Sequence, residues 1–202
     1  DGALIESVLI PANPALYGEG ADRHTLCVST QVGCAYGCRF CASGLDGWKR
    51  NLTPWEIIGQ IIGVECWHAQ QPHTPEESVS DKATSQRLVN NLVIMGMGEP
   101  MANLQNLMAA LEVACHPDGF GLSARHITIS TVGLPERIRE LADAGKKYHL
   151  AVSLHAPEEN LRTHLMPTNA KTGIQNILEA ADYFFDTTGR QVTFEYILLA
   201  GL

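Results

Sequence analysis

The feature that most constrains what this chain can fold into is a rhythm of strand, loop and helix, met five times. Apolar runs suited to buried strands occur at Thr25–Ser29, Asn91–Met95, His126–Ser130, Tyr148–Leu154 and Gln191–Leu199. Between them lie segments with helical spacing. One starts at Thr53-Pro54-Trp55-Glu56, a cap, a first-turn proline and a glutamate three residues after the cap, and carries Ile57, Ile58, Ile61, Ile62 and Cys66 on one expected stripe. The others are expected at Leu104–Ala114, Leu134–Ala144 and Thr172–Thr187. Leu4–Ile10, closed by Pro11, reads as a short strand or half hairpin. Apolar strands alternating with amphipathic helices imply an α/β fold, a parallel sheet covered by helices. An open doubly wound sheet and a (β/α) barrel both fit, and five units are too few to close an eightfold barrel. The expected organisation is a turn-rich lead-in over 1–22, a core over 23–202, and a polar, flexible surface insertion over 70–88.

Chemistry enters in the loop after the first of these runs. Cys34, Cys38 and Cys41 stand in the spacing C-x3-C-x2-C on a glycine-rich stretch. Three thiolates so close suit iron–sulfur or zinc. Structural zinc asks for a fourth ligand, which Cys27 or a remote histidine would have to supply. An iron–sulfur cube held by three cysteines keeps one iron open for a substrate or cofactor, which makes the site catalytic in character. Disulfides are not expected of the six cysteines, since three fall in one turn and no secretory context is visible. Cys66 is expected in the core and Cys115 in a structural role, closing a helix. No apolar run is long enough to cross a bilayer and no charged-then-apolar leader is visible, so a cytoplasmic protein without membrane contact is expected. The net charge of −8 argues against nucleic-acid binding through bulk positive field, although Arg39, Lys49 and Arg50 sit beside the cysteines.

In parallel sheets the active face lies at the carboxyl ends of the strands. Those ends carry the cysteine loop, then Gly98-Glu99, then Ser130 and Thr131, then Ser153 and His155. Each also has a plainer reading: Gly96-x-Gly98 as a tight turn, Glu99 as a solvated helix-start charge, the serines as strand-end caps, His155 as a satisfied loop histidine. Together, beside an open iron, they suit an amino acid joined to a nucleoside.

These residues resemble a known family. The cysteine motif followed by Gly98-Glu99-Pro100 is similar to the radical S-adenosylmethionine (SAM) superfamily. Ile5-Glu6-Ser7-Val8-Leu9-Ile10-Pro11, Thr25-Leu26-Cys27-Val28-Ser29, Gln31-Val32-Gly33-Cys34, Arg50-Asn51-Leu52-Thr53, Met95-Gly96-Met97-Gly98-Glu99-Pro100, Ser130-Thr131-Val132-Gly133, Ser153-Leu154-His155-Ala156 and Leu165-Met166-Pro167-x-Asn169 resemble the adenine-C2 RNA methyltransferases of the RlmN type. The sister Cfr group, acting on adenine C8, shares much of this, and Pro100 favours C2. A zinc- or cluster-binding RNA module without enzymatic activity is the more distant alternative.

The resemblance implies a partial radical-SAM barrel without its sixth strand, and methylation of adenine C2 in 23S rRNA and tRNA. It implies a 4Fe–4S cluster on Cys34, Cys38 and Cys41, with SAM on the open iron and in contact with Gly98, Glu99, Ser130, Ser153, Leu154 and His155. It implies Glu6 as proton acceptor, Cys27 as a second catalytic cysteine forming a transient disulfide, and an electron donor such as flavodoxin with its reductase. The methyl-carrying cysteine of such enzymes lies near their C-terminus, and neither Cys66 nor Cys115 stands in that context. The chain is therefore expected to be an internal piece of a longer enzyme, inactive alone.

Overall fold

A computed structural model of the chain describes residues 2–17, 23–71 and 87–201. The expected insertion at 70–88 falls mostly outside the described residues, as does part of the 1–22 lead-in. Strand β1 (Val8–Pro11) is followed by one turn of helix, α1 (Pro14–Tyr17), then by β2 (His24–Cys27). Two two-residue strands, β3 (Gln31–Val32) and β4 (Arg50–Asn51), come next. Then follow α2 (Pro54–Ala69), β5 (Asn91–Ile94), α3 (Leu104–Cys115), β6 (Ile127–Thr131), α4 (Pro135–Asp143), β7 (His149–Ser153), α5 (Glu159–Leu165), α6 (Asn169–Thr172), α7 (Ile174–Thr188) and β8 (Val192–Glu195).

The main sheet has the order β1-β2-β5-β6-β7-β8. β1 runs antiparallel to β2, with Val8 opposite Cys27, and the remaining pairs are parallel. β1 and β8 are its two free ends, so the barrel is partial and open. Parallel strands place their carboxyl ends on one rim, and every crossover returns through a helix. The core forms where strand and helix faces meet: Leu26, Leu92, Ile94, Ile127, Ile129, Leu150 and Val152 from the sheet, against Ile57, Ile61, Leu107, Leu111, Ile138, Leu141, Ile177 and Phe184. Each such side chain contributes about 1.5–3 kcal/mol on burial. Tyr148, just before β7, is also buried and shares a hydrogen bond with Cys115, which gives that cysteine the structural role expected of it.

The helix start at Thr53 forms as expected. Thr53 Oγ1 accepts from the Glu56 main-chain N–H, and Glu56 reaches back to the Thr53 N–H. Arg50 grips the Glu56 carboxylate at 2.8 and 2.9 Å, holding it down to about 2, and thereby ties β4 to the first turn of α2. The stripe beyond this start differs from the sequence expectation. Ile57, Ile58, Gln60 and Ile61 are buried, whereas Ile62 and Cys66 are exposed. At about 100° per residue, Cys66 falls on the side of α2 opposite Ile57, so the expected core placement of Cys66 is corrected.

Two other boundaries shift. The last strand ends at Glu195 rather than Leu199, and Tyr196 and Leu198 are exposed. The helix expected from Thr172 is broken at Gly173, whose φ of +72° lies in the left-handed region, so α6 stops and α7 begins.

Candidate active site

The cysteine loop, residues 33–49, is an excursion pinched at its neck. β3 pairs with β4 antiparallel, and the Lys49 N–H donates to the Val32 carbonyl at 2.9 Å. Gly33 has φ +71°, and a Cβ there would collide with the Gly47 carbonyl, so only glycine closes the neck. The far side of the loop is docked on the segment after β7. The Arg39 N–H donates to the Leu165 carbonyl, and Cys38 and Phe40 pack on Ala156, Leu165 and Met166. The Phe40 ring meets His155 edge-on at 4.8 Å between centroids.

The loop after β5 closes the opposite wall. The Thr30 and Gln31 N–H groups both donate to the Met97 carbonyl, and Gln31 Oε1 accepts from the Glu99 N–H at 2.8 Å. Gly98, at φ +101°, lies against the Gln31 side chain where a Cβ has no room. Glu99 is 2% exposed. Its Oε1 accepts from the Met101 N–H at 2.9 Å and its Oε2 from the Val132 N–H at 2.8 Å, so the carboxylate joins the β5 and β6 loops. Burial outweighs these hydrogen bonds and pushes the Glu99 carboxyl up to about 7. The solvated helix-start charge entertained from sequence is thus a buried tie.

Cys34, Cys38, Cys41, Gly98, Glu99, Ser130, Thr131, Ser153 and His155 all line one cavity of about 170 Å³ at the strand ends. The structure therefore brings together most of the sequence-expected site. A larger cavity, about 570 Å³, opens among Asn103, Asn106, Arg137 and Glu140. No thiol lines it, and its walls come from α3, α4, Asn51 and the turn before α3, so size alone does not locate the chemistry.

Burial raises the thiol pKa of Cys34, and pushes Cys38 up to about 12 with help from the Cys34 and Cys41 thiols and Glu99. All three thiols line the same cavity. No group of three or more His, Cys, Asp or Glu among the described residues converges as ligands of a single ion. A cubane asks for something different, one thiolate per iron around a void, and thiols ringing a cavity fit that demand. Iron binding would replace the protons that burial favours. His155 adds a second sign of fit. It has φ +59°, rare outside glycine, and its buried Nδ1 has no hydrogen-bond partner among the described residues. Burial lowers its pKa, against the pull of Glu195, so the ring is neutral and can exchange a hydrogen bond with a ligand.

Three expected residues lie off this cavity's lining. Leu154 is held by its main chain, its N–H donating to the Glu195 carbonyl at 3.1 Å. Cys27 ends β2, half-buried, with its thiol bonded to the backbone of Met95, a lining residue. Glu6 is exposed and close enough to Cys27 to help raise its thiol pKa, after burial.

Two site residues escaped the sequence. Glu195 lines the cavity, and its Oε2 accepts from Ser130 Oγ at 3.1 Å and Ser153 Oγ at 2.9 Å, so the two serines serve a carboxylate rather than their own strand ends. The strand-end rule would have found it had the last strand not been drawn too long. Arg162, on α5, lies beneath the same rim, in a polar segment with no strand or helix signal strong enough to draw notice.

The model of the Radical SAM superfamily matches residues 28–202. The chain belongs to the radical SAM superfamily. This radical SAM chain is 50% identical over its whole length to the "Probable dual-specificity RNA methyltransferase RlmN" of Rhodopirellula baltica, of which it covers 48%. It is 42% identical over 203 residues, again its whole length, to the "Ribosomal RNA large subunit methyltransferase N" of Nitrosopumilus maritimus, covering 53%. A crystal structure of a radical SAM methyltransferase from Sphaerobacter thermophilus superposes with a TM-score of 0.83 at 38% identity, over 98% of this chain and 51% of that one. The chain thus spans about half the length of the curated relatives it matches, and it shares the radical SAM fold with the Sphaerobacter structure.

Proposed function

We propose that residues 23–202 form the cofactor-binding core of an enzyme that methylates adenine C2 in 23S rRNA and tRNA, with 1–22 as its lead-in. The observation that carries this reading is the single cavity shared by three thiols and the polar ends of the parallel strands. Whole-length identity of 50% and 42% to proteins named as RNA methyltransferases supports the substrate class. In this reading Cys34, Cys38 and Cys41 hold a 4Fe–4S cluster, and Gly98, Glu99, Ser130, Ser153, Leu154 and His155 contact SAM. When bound, cluster and SAM supply radical chemistry able to act on an aromatic carbon that is not nucleophilic. The electron comes from a donor such as flavodoxin with its reductase. Among the described residues no helix is long and apolar enough to cross a membrane.

The chain's own residues divide the remaining work. Gly98 keeps the wall free of side-chain bulk. Phe40, seated on His155, shields the cavity from water. Glu6 accepts the proton that leaves adenine C2, and Cys27 then attacks, as a thiolate, the sulfur of the methyl-carrying cysteine. The bond from that sulfur to the transferred carbon breaks, its electron pair leaves with the carbon on adenine, which takes up a proton, and a disulfide remains. Burial raises the Cys27 thiol pKa, and the Glu6 carboxylate adds to that rise, so the two groups lie near one another at the same corner.

The test is to supply this chain, within an enzyme of its relatives' full length, with SAM carrying a labelled methyl, reductant, 23S rRNA fragments and tRNA, and to map the label on the isolated nucleosides. Label at adenine C2 is expected. Label at C8 would move the protein to the sister chemistry. A chain that bound zinc without iron and took up no SAM would contradict the enzymatic reading.

A further inference from the structure

Arg162 is a charged side chain that the proposed mechanism does not use, and it is fully buried. Its Nε donates to the Leu154 carbonyl at 3.0 Å, its Nη2 to the carbonyls of Val132 at 2.6 Å and Ser153 at 3.0 Å, and its Nη1 to Asn169 Oδ1. All four acceptors are neutral. Among the described residues no carboxylate forms an ion pair with it. A guanidinium taken out of water without a counter-ion is costly, and a neutral amide such as glutamine could donate to some of the same carbonyls without that cost, so a charge at this place calls for an electrostatic reason.

The surroundings supply one. Val132, Ser153 and Met166 line the thiol cavity, and Arg162 bonds the first two while its own carbonyl accepts from the Met166 N–H at 2.7 Å. The next residue back, Leu165, accepts from Arg39 of the cysteine loop, and Cys38 packs on Leu165 and Met166. The guanidinium therefore sits directly behind the wall that the cysteine loop leans on. Of the anionic groups that favour its charge, Cys38 is the foremost, ahead of Glu159. A 4Fe–4S core on three thiolates is a net anion, and reduction adds one more negative charge. A fixed cation behind the wall stabilises the anion, and the reduced form more strongly.

We propose that Arg162 is the buried counter-charge of the cluster held by Cys34, Cys38 and Cys41, and that it raises the cluster's reduction potential. The inference rests on the ligand reading above. It gives Arg162 a second-layer role, tuning by charge rather than touching the reacting atoms.

The test is a mediator-buffered reductive titration of the anaerobically reconstituted protein, followed by visible absorption and electron paramagnetic resonance. Arg162→Gln, at unchanged iron content, is expected to disfavour reduction about tenfold, a midpoint about 59 mV more negative for a one-electron couple. Arg162→Lys keeps the charge and is expected to stay near the wild type. If Arg162→Gln takes up no cluster, Glu159→Gln reads the same charge with opposite sign: removing the nearby carboxylate leaves Arg162 less compensated and should make the midpoint less negative. An Arg162→Gln cluster with wild-type midpoint overturns the proposal and leaves Arg162 a clamp on strand-end carbonyls. A Glu159→Gln midpoint that is unmoved or more negative does the same. A wild-type protein that takes up no iron–sulfur cluster overturns the ligand reading, and this inference with it.

Discussion

Two thiol regions of this chain differ in how they are built. The cysteine loop is anchored at several points, its neck pinched at Gly33 and Gly47, its far side bonded to Leu165 and its opposite wall the Glu99 tie, with Cys34 and Cys38 partly buried and Cys41 exposed. The Cys27–Glu6 corner is half-open. It lies at the antiparallel edge of the sheet, and Glu6 faces solvent. A cofactor that must be held in one geometry belongs in the first kind of place. A residue that must meet a large substrate belongs in the second. Ser29 joins the two: its Oγ donates to the Glu6 carbonyl at 2.7 Å and accepts from the Met97 N–H at 2.8 Å. Gln60, buried on α2, fixes both ends of this joint by bonding the Ser29 main chain and Ser7 Oγ.

The contrast is broken most forcefully at Glu99. Glu99→Ala strands two buried N–H groups, and at pH 6 should cost about 1–3 kcal/mol for each. Denaturant unfolding reads this, and Glu6→Ala at the open corner should fall within about 0.5 kcal/mol of wild type.

The same residue gives the next effect. The Glu99 carboxyl is raised in the folded chain to about 7, from about 4.3 when unfolded. A raised folded value means the folded state holds the proton more tightly. Its contribution is thus complete below about pH 4 and is lost as pH rises through 7, by up to about 4 kcal/mol. Unfolding curves from pH 5 to 8 should show this fall in the wild type and a flatter profile in Glu99→Gln.

Ser29→Ala removes the joint and should cost about 1–2 kcal/mol. Its sharper signature is faster hydrogen exchange at Glu6 and Ser7, with the cysteine-loop amides unchanged. The smallest effect is expected at Cys66→Ser, on the exposed side of α2, within about 0.5 kcal/mol.

How much of this was legible in the sequence follows the same division. Five apolar runs marked the parallel strands, because strands covered by helices must be apolar throughout. The strand-end rule then gathered Cys34, Cys38, Cys41, Glu99, Ser130 and Ser153. What stayed hidden is held by tertiary contacts rather than by local pattern. α5 and α6 are short and polar, kept in place by Arg162 and by Asn169, whose Nδ2 donates to Glu159 and Thr163. β3 and β4, two residues each, carry no periodicity to read. The run Tyr196 to Leu199 looks like strand yet lies past the ladder, which is why Glu195 was not recognised as a strand end.

The measurement that bears most directly on the account is iron–sulfur content, by absorption and electron paramagnetic resonance after anaerobic reconstitution, compared between Cys38→Ala and Cys27→Ala. The account predicts that Cys38→Ala loses the 4Fe–4S signature while Cys27→Ala keeps it in full. An intact cluster in Cys38→Ala, or its loss in Cys27→Ala, would contradict the assignment of the anchored loop as cofactor site and the Glu6–Cys27 corner as substrate side.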